Sequence, residues 1–291
     1  MSRRTSRKAF AVEDYDLAAT LNSGQAFRWV KYGEGWTTVV EGRWVTLVQT
    51  GKGIEARVVE PVRDWGWLSD YLQADVAIDS ITASFPDDEP MRAAVEACRG
   101  LRLLRQDPWE CLASFILSSN KQITQIRQMV ALICERFGEK VRRDDGDEAA
   151  HAYAFPSAER IAALSEQELR ECRLGYRAPY LLKSARMVAD GAVDLSRMRE
   201  MGCEAAREDL LRLPGVGRKI ADCALLFAGG YQEAFPIDVW IMKALKELYF
   251  PRKRRVTPKR LQAFSATYFG PHGGYAQQYL FHYMRKRAGR A

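Results

Sequence analysis

The pattern of hydrophobic and polar positions divides the chain into two parts. Between residues 25 and 60, short runs rich in β-branched and aromatic residues alternate with turns that contain glycine. This pattern predicts strands, and turns this short make neighbouring strands antiparallel. The predicted strands are 25–30, 36–40, 43–48 and 54–59. We therefore expect a small antiparallel sheet packed on a helix near the N-terminus.

From residue 89 the hydrophobic period becomes helical and stays so. Asp107 can cap a helix that begins with Pro108, and Glu110 stands where it could complete a capping box. Apolar side chains at helical spacing over 123–137 predict one amphipathic helix. Residues 139–156 are predicted to form a polar loop. Further helices are predicted at 157–171, 178–190, 203–211, 217–229, 238–249, 258–269 and 274–287.

Together the two patterns predict an α+β protein of two domains. A small antiparallel α+β domain is expected over residues 1–88, and a larger all-helical domain over 89–291. The length of 291 residues suits two domains of ordinary size. No stretch approaches the roughly 18 uncharged apolar residues of a membrane span, and no apolar segment follows the basic N-terminus as a secretion signal requires. We therefore expect an intracellular protein that does not use a membrane.

The net charge of +7 is unevenly distributed. Residues 1–8, 252–260 and 285–291 contain only basic charges, +14 in total, so the rest of the chain carries −7. Such clusters are typical of proteins that bind a polyanion, and nucleic acid is the first candidate. Basic termini are as often solvated tails, whereas the internal run Arg252 to Arg255 is harder to explain that way.

The cysteines and histidines limit the chemistry that is open to the chain. The six cysteines are widely separated and form no Cys-x-x-Cys pair, so we expect reduced thiols and no metal site. None of the three histidines lies in a motif for nucleophilic catalysis. Any chemistry is therefore expected from carboxylates or lysine.

The most informative segment is a Leu-Pro-Gly-Val-Gly turn between two predicted helices. Its glycines allow the backbone N–H groups of Gly215, Val216, Gly217 and Arg218 to approach a phosphate closely, and the next helix adds its positive end. This predicts a clamp for a nucleic-acid backbone that does not depend on base sequence. An ordinary corner between two helices would show the same pattern.

Two residues at helix starts could carry a reaction. Lys219 lies in the first turn after the glycines, where the helix dipole and Arg218 disfavour a further positive charge and so favour a nucleophilic amine. Asp238 directly precedes another apolar helix, and a carboxylate held there could stabilise a developing cation. Most lysines are solvated surface charges, and Asp238 could be only an N-cap.

These residues are part of a longer resemblance. The segment 213–219 followed by Pro236-Ile-Asp238 resembles the helix-hairpin-helix and Gly-Pro-Asp loop of the HhH-GPD DNA glycosylase superfamily, and most closely its 8-oxoguanine DNA glycosylase/lyases. Further matches follow in the same order as in that family: 23–29, 107–116 with 118–120, 174–178, 214–223 and 275–281. The resemblance implies two helical subdomains with the active site in the cleft between them.

The resemblance also implies a role for each matching residue. Lys219 would attack the sugar and form a Schiff base, with Asp238 assisting it. Gly24 would accept the N7 hydrogen of the oxidised purine, Cys223 and Phe281 would sandwich the flipped base, and Gln277 would read its Watson–Crick edge. Asn120, Tyr176 and Arg177 would fill the vacated space and contact the orphaned partner base. From the residues alone, Cys223 and Phe281 could be core side chains and Gly24 a turn residue.

Two positions depart from the animal and yeast members of the family. Trp240, which we expect in the lesion pocket, stands where those enzymes have histidine, and Gln125 stands where they carry a second arginine for the orphan cytosine. A bacterial type is therefore expected.

The implied function is excision of 8-oxoguanine from duplex DNA, preferably opposite cytosine, followed by strand cleavage, by a monomer without cofactor or metal. Its place would be the bacterial nucleoid, or the nucleus in a eukaryote. The alternatives are a glycosylase of the same superfamily for an alkylated or another oxidised base, and a non-catalytic helix-hairpin-helix module that binds DNA.

Overall fold

The structure is a computed structural model that describes residues 5–143, 151–253 and 255–290. Its strands are β1 (Ser6–Ala11), β2 (Val30–Tyr32), β3 (Gly35–Val40), β4 (Arg43–Thr50), β5 (Gly53–Val58), β6 (Lys140–Arg142) and β7 (His151–Tyr153). Its α-helices are α1 (Leu17–Asn22), α2 (Gly66–Leu72), α3 (Ile78–Thr82), α4 (Glu89–Ala97), α5 (Pro108–Leu117), α6 (Ile123–Phe137), α7 (Ala158–Ala162), α8 (Glu166–Glu171), α9 (Ala178–Ala189), α10 (Cys203–Leu211), α11 (Arg218–Ala224), α12 (Val239–Ala244), α13 (Pro258–Tyr268) and α14 (Gly273–Arg287). The π-helical segments Leu225–Gly229 and Leu245–Tyr249 continue α11 and α12.

Five strands form one antiparallel sheet in the order β1-β5-β4-β3-β2. The predicted strands at 36–40, 43–48 and 54–59 are confirmed to within two residues at each end. Glu41 and Gly42 join β3 to β4 with φ of 46° and 71°, as a type I′ turn requires. The hydrophobic pattern does not predict strand β1, because most of its side chains are exposed and give no alternation of buried and exposed positions.

The strand predicted at 25–30 is wrong, because only Val30 lies in a strand. The buried side chain of Gln25 donates to the carbonyl of Arg102 (2.8 Å) and accepts from the N–H of Leu104 (2.8 Å). These contacts with a distant part of the chain hold the segment in an irregular conformation.

The helix expected after Asp107 is α5, and the side chain of Asp107 accepts from the N–H of Glu110 at 2.8 Å. The expected capping box is absent, because the Glu110 carboxylate pairs instead with Arg28 at 2.9 Å. Arg28 also donates to the carbonyl of Tyr153, so this pair ties the N-terminal segment to the helical part. The helix predicted at 123–137 is confirmed as α6.

Two predictions in the middle of the chain need correction. The polar loop expected at 139–156 contains the short antiparallel pair β6 and β7, and its residues 144–150 lie outside the described part. The single helix expected at 157–171 is two helices, because Ser165 and Glu168 form a capping box that starts α8. The remaining predicted helices correspond to α9–α14, with the π-helical segments included.

The buried side chains form two clusters. One lies between the large sheet, α1 and α2, and the other fills the helical part. Ile78, Ile81 and Phe85 pack with the helical cluster, and the predicted domain border at 88/89 stays a prediction. Across the described residues, no helix is long and apolar enough to cross a lipid bilayer.

Candidate active site

A cavity of about 520 Å³ is lined by residues of α5, α6, α11, α12 and α14 and by Gly24. This volume is in the range of small-molecule pockets, roughly 300–1,000 Å³. The structure brings together every residue that the sequence and the resemblance assign to chemistry or to the lesion base: Gly24, Lys219, Cys223, Asp238, Trp240, Gln277 and Phe281.

Lys219, the second residue of α11, extends into the cavity beside α5. Its Nζ donates to Ser118 Oγ at 3.0 Å and lies 4.9 Å from the centre of the Phe115 ring. The Ser118 hydroxyl donates to the Phe115 carbonyl at 2.7 Å, so its oxygen faces the lysine as an acceptor. No carboxylate within the described residues pairs directly with Lys219. The amine is therefore held by one neutral contact that a substrate can replace.

Asp238 is the N-cap of α12 and also faces the cavity. Its Oδ1 accepts from the N–H of Ile241 at 2.8 Å, which fixes the carboxylate in place. Burial raises the pKa of Asp238, while the Ile241 N–H and Lys219 act in the opposite direction. The capping role is therefore confirmed, and it fixes the carboxylate in the lining of the cavity.

Gly24 and Phe281 form one wall of the cavity in close contact. Gly24 has φ of +79°, and a Cβ atom there would lie 3.0 Å from Ile123 Cδ1 and 3.3 Å from Phe281 Cε1. Only glycine fits this position without strain. Cys223, one turn after Lys219, is buried, and burial raises the pKa of its thiol to about 12, which keeps it neutral.

Gln277 is a buried polar group of the cavity wall. Its side chain is buried, and its Oε1 has no hydrogen-bond partner among the described residues. A buried acceptor without a partner is costly, and a ligand in the cavity would satisfy it. Trp240 lines the same cavity, with the Arg290 guanidinium 5.8 Å from its ring centre.

The residues expected to face the partner strand meet at the turn between α5 and α6. Asn120 is exposed, with a positive φ of 53°, and Tyr176 is 49% exposed. The Tyr176 hydroxyl donates to the Ser119 carbonyl at 3.4 Å, and Arg177 Nε donates to the same carbonyl at 3.0 Å. The two predicted wedge residues, Asn120 and Tyr176, are thus neighbours.

Two side chains in this region are already engaged. Arg177 is buried, and besides the Ser119 carbonyl its Nη2 donates to the Tyr176 hydroxyl at 3.1 Å. Gln125 is exposed, and its Oε1 accepts from the N–H of Gln122 at 3.3 Å. Contact with a partner base stays a prediction for both residues, and the Arg177 guanidinium and the Oε1 of Gln125 would first have to leave their present partners.

The predicted backbone clamp lies between α10 and α11. Gly215 has φ of +81°, and the N–H groups of Gly217, Arg218 and Lys219 donate to no group in the described part of the chain. Val216 is buried and its N–H donates to the Leu213 carbonyl at 3.1 Å. Three consecutive free N–H groups at a helix start can hold a phosphate, whereas Val216 anchors the turn.

Sequence analysis missed two residues of the site. Ser118, which holds Lys219, lies within a matching segment, but nothing in its spacing indicates that contact. Arg285 lines the cavity one turn after Phe281. Its place on the face of α14 that carries Gln277 and Phe281 was the signal that could have indicated it.

Comparison with known families agrees with this geometry. Residues 9–112 match the family "8-oxoguanine DNA glycosylase, N-terminal domain", and residues 113–269 match the "HhH-GPD superfamily base excision DNA repair protein" family. The chain is 30% identical over 281 residues to the N-glycosylase/DNA lyase OGG1 of Arabidopsis thaliana, covering 91% of this chain and 76% of that protein.

Solved structures resemble the whole chain. The structure of MBOgg1 with a low-affinity DNA ligand has a TM-score of 0.90 at 31% identity, over 99% of this chain and all of that one. The 8-oxoguanine glycosylase/lyase of Clostridium acetobutylicum, in complex with DNA that contains cytosine opposite 8-oxoG, has a TM-score of 0.87 at 28% identity over 98% of each chain. The chain therefore belongs to the HhH-GPD superfamily of base excision DNA repair proteins and, within it, to the family of the 8-oxoguanine N-glycosylase/DNA lyases.

Proposed function

We propose that this protein removes 8-oxoguanine from duplex DNA and then cleaves the strand at the abasic site. The observation that carries the proposal is that Lys219, Asp238, Gly24 and Gln277 surround one cavity. They supply an amine nucleophile, a carboxylate, a fixed carbonyl acceptor and an amide. Excision of a flipped, oxidised purine by a lysine requires these groups. The relatives of Arabidopsis thaliana and Saccharomyces cerevisiae are named N-glycosylase/DNA lyase, which is the same pair of activities.

In the proposed reaction the unprotonated Nζ of Lys219 attacks C1′ of the flipped nucleotide. The glycosidic bond breaks, its electron pair goes to the base, and the base leaves with a proton. Lys219 gives up a proton, the sugar ring opens with a proton on O4′, and a C1′=N Schiff base forms. Loss of a C2′ proton then expels the 3′ phosphate, and water releases the lysine. The Asp238 carboxylate stabilises the positive charge that develops at the sugar.

Recognition of the lesion is assigned to the walls of the cavity. 8-Oxoguanine carries a hydrogen on N7 where guanine has a lone pair, so the Gly24 carbonyl would bond the first and repel the second. Cys223 and Phe281 would contact the two faces of the base. The Oε1 of Gln277 has no partner in the described protein and would accept from the Watson–Crick edge. Guanine has the same Watson–Crick edge, so discrimination against it is assigned to the Gly24 carbonyl, which guanine would leave without a donor.

Duplex binding is assigned to three surfaces. The free N–H groups at the start of α11 would hold a phosphate, and Asn120 with Tyr176 would fill the space left by the flipped nucleotide. Beside Asp238, the 80% exposed Val239 shares a shallow depression with Lys243, Lys246, Lys253 and one acidic residue, Glu247. This basic surface continues into the run Arg252 to Arg255, of which residue 254 lies outside the described part. We propose that the protein binds DNA as a monomer, in the nucleoid of a bacterium or the nucleus of a eukaryote, and prefers cytosine opposite the lesion.

The test is borohydride trapping on a labelled duplex with one 8-oxoguanine opposite cytosine. A covalent adduct requires both base excision and an amine nucleophile, so the proposal predicts an adduct with this duplex and none with undamaged DNA. Excision of an alkylated base without an adduct would favour another glycosylase of the superfamily. Binding without excision of any lesion would favour a non-catalytic module.

A further inference from the structure

Arg127 of α6 and Arg285 of α14 meet at the edge of the lesion cavity. Arg127 Nη2 donates to Asn22 Oδ1 at 3.2 Å, and Arg285 Nη1 donates to the Asn22 carbonyl at 3.3 Å. Arg285 lines the cavity, with its guanidinium 5.6 Å from the centre of the Phe281 ring. Two positive charges therefore share Asn22 as a partner, next to the wall that would contact the flipped base, and Arg285 Nη2 also donates to the carbonyl of Arg290.

Neither guanidinium has an acidic partner among the residues that the structure describes. Arg28 and Arg207 do have such partners, in the pairs Arg28–Glu110 (2.9 Å) and Arg207–Asp222 (2.7 Å), whereas the buried Arg102 and Arg177 have none in the described part of the chain and donate to backbone carbonyls. Arg127 Nε is buried and donates to no group in the described chain. Burial lowers the pKa of Arg127, and burial together with Arg127 lowers the pKa of Arg285.

Without a bound ligand, the closeness of these two guanidinium groups destabilises the folded protein. Two like charges in a partly buried site repel each other, and the neutral oxygens of Asn22 and the Arg290 carbonyl offset only part of their desolvation. An oxyanion between the two guanidinium groups would relieve the repulsion and accept several charge-assisted hydrogen bonds. The nearby Asp238 carboxylate also acts on Arg285, but it is held as a helix cap.

We propose that Arg127 and Arg285 form an oxyanion subsite, and that it takes a phosphodiester group of the strand that carries the flipped nucleotide. The choice of a DNA phosphate rests on the proposed function, since flipping brings the phosphates of that nucleotide to the cavity. Free inorganic phosphate has the same chemistry. Two experiments test the subsite and distinguish a DNA phosphate from free phosphate as its ligand.

The first experiment measures the melting temperature of the DNA-free protein with and without inorganic phosphate. Arg285→Gln keeps a donor for the Asn22 carbonyl but removes the charge. The control is Arg287→Gln, on the same helix, where the arginine pairs with Glu247 at 3.4 Å. Without phosphate we expect Arg285→Gln to be at least as stable as the wild type, because an uncompensated charge is gone. Added phosphate should stabilise the wild type and the control more than Arg285→Gln.

A clear loss of stability in Arg285→Gln, or equal stabilisation of all three proteins by phosphate, would overturn the subsite. The first result would mean that Arg285 is a structural contact. The second would mean that phosphate acts elsewhere on the protein. This experiment needs no DNA, so its outcome is independent of the proposed function.

The second experiment uses lesion duplexes in which one phosphate is replaced by a neutral methylphosphonate. Arg285→Gln should weaken binding about tenfold and lower the salt slope by about 0.9, as expected when the protein neutralises one phosphate fewer. Methylphosphonate next to the lesion should weaken wild-type binding equally and leave the variant unchanged, because both changes remove the same interaction. Equal effects on both proteins at every position would refute a DNA phosphate as the ligand. Excision by the wild type, followed on the unmodified duplex, tests the proposed function separately.

Discussion

The lesion cavity and the turn that faces the partner strand differ in how their polar groups are satisfied. In the cavity, Gln277 Oε1 has no partner in the described protein, and Lys219 has only the Ser118 hydroxyl. At the turn, Arg177 is buried against the Ser119 carbonyl, and Gln125 caps its own helix. The cavity therefore offers open groups to a ligand, whereas at the turn the Arg177 guanidinium and Gln125 Oε1 have to exchange contacts before they can read a base.

Open and bonded groups contribute differently to specificity. Open and fixed groups gain their full interaction when the ligand binds, because little has to be broken or ordered. Groups that are already bonded gain only the difference between two partners. We therefore expect strong dependence of the reaction on the lesion and weaker dependence on the base opposite it.

The largest expected effect is that of Lys219→Gln. This variant should lose strand cleavage and borohydride trapping while binding lesion duplex nearly as well as the wild type, since the amine acts in the chemical step. The matched control is Lys183→Gln, an exposed lysine of α9, which should still be trapped. Trapping by the Lys219 variant would place the nucleophile elsewhere and make the cavity only a binding site.

Asp238→Asn should lower the single-turnover rate roughly 100-fold or more, because a neutral amide cannot offset positive charge at the sugar. Asn caps helices as well as Asp does, so α12 should keep its start. Asp238→Ala separates the two roles, since it removes both cap and charge. Full activity of the Asn variant together with lost stability of the Ala variant would reduce Asp238 to a cap.

The stability of the wild type and that of Asp238→Asn should depend differently on pH. Burial raises the pKa of Asp238 above its ordinary value, so the folded protein holds this proton more tightly than the unfolded chain. The ionised carboxylate therefore costs stability above that pKa, and the cost disappears as the pH falls through it. Asp238→Asn should thus be no less stable than the wild type at neutral pH in thermal unfolding. A stability gain for the wild type with rising pH that the variant lacks would contradict this sign.

Replacing the charges of the run Arg252 to Arg255 by glutamine should weaken binding to lesion and undamaged duplex alike. The salt slope should fall by roughly 0.9 for each phosphate that the run no longer neutralises. A weakening confined to lesion duplex would instead assign the run to the cavity, and an unchanged slope would mean that it faces away from DNA.

The parts of the fold that could be predicted are those set by local sequence. The period of α6, the cap at Asp107 and the short turn at Glu41 and Gly42 each depend on a few neighbouring residues. The errors arise where distant contacts decide. Gln25 bonds to the chain near residue 103, and Glu110 leaves its capping box for Arg28.

In the candidate site, too, features set by neighbouring residues could be predicted and those set by distant contacts could not. Lys219 and Asp238 lie at helix starts that the sequence marks, and the family resemblance indicated the other cavity residues. The contact of Ser118 with Lys219 and the meeting of Arg127 with Arg285 join elements that are far apart in the chain. The burial of Arg177 depends on the carbonyl of Ser119, 58 residues away. Spacing along one element carries no information about such pairs.

The smallest expected effect concerns the base opposite the lesion. Gln125 replaces the second arginine that the resemblance leads one to expect, and its Oε1 is committed to the N–H of Gln122. A good bidentate contact to a base is worth about 1–3 kcal/mol of discrimination, and a neutral amide with another partner supplies less. Preference for cytosine should persist but be about tenfold weaker than in an enzyme with two arginines, since about 1.4 kcal/mol corresponds to a factor of ten.

Gln125→Arg should therefore raise the preference for cytosine, because the longer, charged side chain can reach beyond the first turn of α6 and donate two hydrogen bonds. The measurement is single-turnover excision of 8-oxoguanine opposite cytosine, thymine, guanine or adenine. Gln125→Lys is the matched control, since it adds the same charge without the bidentate geometry and should increase binding without the same gain in preference. Discrimination against adenine that is already as severe as with two arginines, and unchanged in Gln125→Arg, would show that this position does not read the partner base. Arg177 would then have to leave the Ser119 carbonyl and read that base without help from Gln125.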